Sequence, residues 1–130
     1  MIELTRKQTL ELLEAAVNSA GPDTVRSCFY ASEMEDGTLY PQCIVADVFS
    51  RLDESGMLLE TLHLSEGTGI QNFTDEHLGI KTEPGVYALL HQAQSIQDNG
   101  DTWGQALDDV ERLAVAMDQS RSFRSNLFNN

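Results

Sequence analysis

With 130 residues, 41% of them hydrophobic and 22% charged, the chain has the size and balance of one globular domain, which excludes intrinsic disorder. Two cysteines are too few for a disulfide framework, no apolar run approaches the ~20 residues of a membrane span, and the first residues lack a secretion-signal pattern, so a cytoplasmic protein is expected. The net charge of −13 is concentrated between residues 27 and 111, where sixteen acids face only Arg51 and Lys81; such a field repels nucleic acid and anionic membrane and favours basic partners.

Thr5 followed three residues later by Gln8 is a capping box, and Leu10, Leu13, Val17 and Ala20 recur at helical spacing until Gly21-Pro22. A first helix over 6–20 follows. Val25, Cys28, Phe29 and Tyr30, then the turn Glu35-Asp36-Gly37, then Thr38, Leu39 and Tyr40 predict a short β-hairpin ending at Pro41. Ile44, Val45, Val48, Phe49 and Leu52 share one helical face, predicting a second helix over 42–52 that stops before Ser55-Gly56.

Residues 57–64 are apolar at Leu58, Leu59 and Leu62, but the run is too short for periodicity to separate helix from extended chain. After the loop Gly67-Thr68-Gly69, a short helix is expected over 71–78 with Gly79 as its left-handed cap. Pro84 suits a first helical turn, Val86, Leu89, Leu90, Ala93 and Ile96 form a buried stripe, and Asn99-Gly100 ends it. Thr102 with Gln105 is a second capping box, after which Trp103, Leu107, Val110, Ala114 and Met117 continue the helical spacing. Two helices joined by so short a turn predict an antiparallel helical hairpin. The stretch 120–130 has no periodicity and reads as a mobile tail, with Phe123, Leu127 and Phe128 available for docking.

The expected fold is therefore α+β, a mostly helical single domain over 1–119 with one short β-hairpin and a C-terminal helical hairpin. Its predicted core is Leu10, Leu13, Val17, Phe29, Ile44, Val48, Phe49, Leu52, Leu89, Leu90, Trp103, Leu107 and Val110.

Reactive groups are sparse. Cys28, Cys43, His63, His77 and His91 carry zinc-binding chemistry, but no pair has the two-to-four-residue spacing of a zinc knuckle, so no metal is expected. Cys43 sits near a helix start, where a thiol is activated by backbone N–H groups, yet its apolar neighbours favour a packed cysteine. Asp98-Asn99-Gly100-Asp101-Thr102-Trp103-Gly104 fails the calcium-loop pattern, because Gly100 and Thr102 stand where ligands are required; a capped turn with Trp103 as a core anchor fits better. There is no phosphate-binding glycine loop, nucleophile elbow or zincin helix, so no cofactor or catalytic residue is assigned.

Two segments, residues 40–49 (Tyr-Pro-Gln-Cys-Ile-Val-Ala-Asp-Val-Phe) and residues 94–106 around Gly-Asp-Thr-Trp-Gly, resemble a loose group of uncharacterised small proteins from actinobacteria and their bacteriophages. In that group a hairpin leads to a Cys-(Ile/Leu)-Val helix, and Gly-Asp-Thr-Trp-Gly turns between the last helices. Ala46 stands where such members have Gly. The resemblance implies a phage or actinobacterial setting and transfers no activity.

Function is thus expected to lie in the charge. Asp47, Asp53, Glu54, Glu60, Glu66, Asp75, Glu76, Asp108, Asp109 and Glu111 are expected to form a negative surface, with Asp108, Asp109 and Glu111 as the candidate protein-binding residues. The expected role is an accessory or regulatory protein that binds a partner with a basic surface. The alternatives are a nucleic-acid mimic occupying a host or defence enzyme's basic cleft, a small enzyme without a recognisable motif, and plain solubility. Oligomeric state is not encoded in any pattern found.

Overall fold

The computed structural model describes the backbone of residues 1–26 and 29–128, and the side chains of those residues up to Ser120. It is a small α+β domain in the order β1 (Ile2–Leu4), α1 (Arg6–Ala20), β2 (Ala31–Glu33), β3 (Leu39–Pro41), α2 (Ile44–Leu52), α3 (Met57–Leu64), a 3₁₀ turn (Ile70–Asn72), α4 (Asp75–Leu78), β4 (Ile80–Thr82), α5 (Val86–Asp98) and α6 (Trp103–Phe128). Where the sequence reads as a tail without periodicity from residue 120, the backbone continues α6 to Phe128, while the docking of Phe123, Leu127 and Phe128 concerns side chains outside the described residues. No helix among the described residues is long and apolar enough to cross a membrane.

The capping box starts α1 as its sequence requires: the Gln8 N–H donates to Thr5 Oγ1 at 3.0 Å and the Thr5 N–H to Gln8 Oε1 at 2.9 Å. At Thr102 only half of the box forms. The Gln105 N–H reaches Thr102 Oγ1, while the Gln105 side chain turns forward to Asp109. The ambiguous run at 57–64 is helical, and its start is fastened by Asp53, whose carboxylate accepts from the Leu58 N–H and from Ser55. Gly79 takes the left-handed cap at φ 68°, although α4 is shorter than its pattern suggested because the 3₁₀ turn claims residues 70–72.

The hairpin pairs Ala31 with Pro41, Ser32 with Tyr40 and Glu33 with Leu39. A second two-stranded sheet, absent from the sequence expectation, joins β1 to β4 in parallel, with Ile2 opposite Ile80 and Leu4 opposite Thr82. Arg6 reinforces the junction through an ion pair with Glu83 at 2.7 Å and a longer one with Asp118 at 3.4 Å.

Helix α2 is the hub, packed against α1, α3, α5 and β3, with Ile44, Val45, Ala46, Val48 and Phe49 all buried. Helices α5 and α6 form the expected hairpin. Nine of the predicted core residues are buried, and Leu10, Leu52 and Leu107 lie partly buried against them. Phe29 corrects the expectation, since it is 60% exposed. Its neighbour Tyr30, only 2% exposed, is the aromatic that enters the core at the bend before β2, ahead of the buried Ala31.

Candidate functional site

The acidic residues divide into two groups once their partners are seen. Asp47 pairs with Arg51 at 2.5 Å, one helical turn away. Glu66 accepts the Tyr30 N–H at 2.8 Å, and Asp53 caps α3 with its carboxyl held below the usual range by the Ser55 hydroxyl. Asp75 accepts from the Thr82 N–H and hydroxyl and from the Tyr87 hydroxyl; burial pushes its pKa up, but those three hydrogen bonds outweigh it and the net direction is downward. These four carboxylates are fasteners. Only Asp47 has its charge met by a cation; Asp53, Glu66 and Asp75 accept from neutral groups, so their charge remains while their side chains are tied to the fold.

Glu33, Glu35, Glu54, Glu60, Glu76, Asp108 and Glu111 are exposed and pair with no cation among the described residues, and Asp36, also exposed and without a cation, is held in the hairpin turn by the Thr38 N–H and hydroxyl. On α6 the three candidate residues separate. Asp108 and Glu111, three apart, share one exposed face and line a shallow depression of about 510 Å³ with Arg112 and the 55%-exposed Val115. Asp109 is half-buried and accepts from Gln105 at 3.1 Å and from Arg112 at 3.5 Å.

A better-formed concavity, which the sequence did not single out, lies between the β2–β3 hairpin and α3. It measures about 610 Å³ and is lined by Glu33 and Leu39 from the hairpin and by Leu59, Glu60, His63 and Leu64 from α3. Leu59 is buried in its floor, Leu64 stands 77% exposed at its rim, and the Nδ1 atom of His63 is buried without a hydrogen-bond partner. No run of residues could have announced this cleft, because its walls are separated in the chain and meet only through the packing of α3 on the hairpin.

The other candidates resolve into structural roles. Cys43 is buried and caps α2, its sulfur accepting the Ala46 N–H at 3.3 Å; burial pushes the thiol up to about 12, which leaves no thiolate for nucleophilic chemistry. Cys28 lies outside the described residues. His63, His77 and His91 fall on α3, α4 and α5, and no group of three His, Cys, Asp or Glu among the described residues could hold a metal ion.

Two buried glutamines are the residues that sequence reasoning missed. Gln97 Oε1 accepts from the Ile44 N–H at 2.8 Å and from Trp103 Nε1 at 3.0 Å, joining the start of α2 to the α5–α6 turn. Gln94 accepts the Ile70 N–H at 2.9 Å and donates to the Tyr30 hydroxyl, which in turn donates to the Thr68 carbonyl. Desolvation pushes Tyr30 up to about 12, so this hydroxyl is a neutral strut. Comparison with protein-family models, curated proteins and solved structures gives no match.

Proposed function

We propose that the protein is an accessory or regulatory binding domain that acts by holding a partner protein with a basic face. The observation that supports this reading is the partition of the carboxylates. Four are spent on internal fastening, yet a larger exposed set, including Asp108 and Glu111 on α6, is left without ion pairs among the described residues. Exposed carboxylates of this kind raise the encounter rate with basic proteins, and salt weakens the effect by screening it beyond a Debye length of ~8 Å at physiological ionic strength. The setting that goes with it is the cytoplasm of an actinobacterial or phage-infected cell, a reading supported by the resemblance of residues 40–49 and 94–106.

The test is capture of proteins from an actinobacterial lysate at low and at high salt, by the natural chain and by a D108K/D109K/E111K variant. Salt-sensitive capture that the reversals weaken is the expected result. Capture that survives the reversals at physiological salt removes α6 from the reading, and absence of salt-sensitive capture removes the reading itself.

A further inference from the structure

From the cleft between the hairpin and α3 we infer a docking site for an arginine or lysine side chain of a partner, presented beside an aliphatic residue; this rests on the basic-partner reading and gives it an anchoring point. Side chains alternate along β2 and β3, so Glu33 stands on the same side as Ala31 and, across the ladder, opposite Leu39. Ala31 is buried and Leu39 half-buried, so this is the face that packs inward. At Glu33 the packing fails to close, and a carboxylate occupies a position where a closed layer would place an apolar group. It opens into the cleft instead.

The opposite wall repeats the pattern at helical spacing. Glu60 and His63 are three residues apart and Leu59 and His63 four, so the three share the side of α3 that lines the cleft, with Gly56 just before the helix beside them. The cleft thus has an apolar floor at Leu39 and Leu59 and one carboxylate on each wall, Glu33 and Glu60. Neither carboxylate accepts a hydrogen bond or an ion pair from a described residue, which distinguishes them from Asp47, Asp53, Glu66 and Asp75.

Lysine and arginine match such a site because each carries a long aliphatic stem and a charged head. The stem covers Leu39 and Leu59, and the head sits between two carboxylates that no internal cation neutralises. Around the site, Leu64 and Met34 are 77% and 53% exposed, and the negative strip continues round the hairpin turn through Glu35 and Asp36. An aliphatic neighbour of the basic residue has somewhere to pack, and a second cation has somewhere to go.

The experiment is a titration of the full-length ¹⁵N-labelled protein with the blocked peptide acetyl-Leu-Arg-Leu-amide, followed by amide shifts. Acetyl-Leu-Glu-Leu-amide and acetyl-Gly-Arg-Gly-amide serve as controls. The expected result is saturable shifts at Leu39, Leu59, Glu60 and Leu64, weakened by about tenfold in an E33Q/E60Q variant, the size two semi-exposed charge contacts supply together. Neither substitution removes an internal hydrogen bond, so the variant should fold, and its spectrum shows whether it does. Equal shifts with the Glu peptide, shifts mapping to α6 or scattered over the surface, or an unchanged affinity in E33Q/E60Q would each overturn the assignment of the cleft. A change in sedimentation of E33Q/E60Q without any peptide binding would overturn it too, in favour of a second copy as the occupant. The wider basic-partner reading stands or falls separately, on the salt-sensitive capture described above.

Discussion

Gln97 shows how much of this molecule hangs on single polar atoms. The residue is 1% exposed, and two donors from different helices converge on its side-chain oxygen, the Ile44 N–H and the Trp103 indole. Replacing it by leucine keeps the volume and removes the acceptor, so two buried donors lose their partner at a cost of ~1–3 kcal/mol each. A Q97L variant should therefore lose about 2–4 kcal/mol in urea unfolding, with an unchanged slope, the two losses overlapping because both donors share one acceptor. An effect within ~0.5 kcal/mol, as for an ordinary surface substitution, would show that water replaces the amide.

At the scale of elements, the Gly-Asp-Thr-Trp-Gly turn is explained position by position. Gly100 adopts φ 88° and its N–H bonds back to the Gln97 carbonyl while the Asp101 N–H reaches Ile96, the two bonds of a left-handed helix ending. Thr102 caps α6, Trp103 fills the core, and Gly104 lets the loop after α1 approach, its N–H donating to the Pro22 carbonyl at 2.8 Å. A Cβ at Gly104 would stand 2.9 Å from that carbonyl oxygen and 3.0 Å from Pro22 Cβ. The helix-propensity gain of G104A, ~1 kcal/mol, is smaller than the ~1–3 kcal/mol of forcing backbone apart, so thermal melting should show a net loss of about 1 kcal/mol. A gain in melting temperature would mean that the Pro22 loop yields freely. The turn and the helices were legible because their signals are local: a cap and its partner lie three residues apart, and a stripe repeats every turn. What was not legible depends on distant partners. Ile2–Leu4 carries no strand pattern of its own and becomes a strand only beside Ile80–Thr82, and Gln94 and Gln97 look like the wet side of α5 until the irregular backbone at Ile70 and the start of α2 are brought against them.

For the molecule as a whole, charge works against compactness. The net charge is −13, and the described residues hold only four ion pairs, two of them sharing Arg6. Self-repulsion of that size is screened by salt, whereas exposed pairs contribute little. The melting temperature should accordingly rise by several degrees between about 0.02 M and about 1 M sodium chloride. A fall would show that the Arg6 junction and its fellow pairs outweigh the repulsion. That junction lies where β1 meets β4, and the pairing of residue 2 with residue 80 also sets an order of assembly. A contact spanning so much chain must wait until the intervening loop entropy has been offset by other contacts, while α5 and α6 are neighbours in sequence and can meet at once. The helical hairpin is therefore expected to form early as the seed of the domain, and the first strand to close last, as its latch.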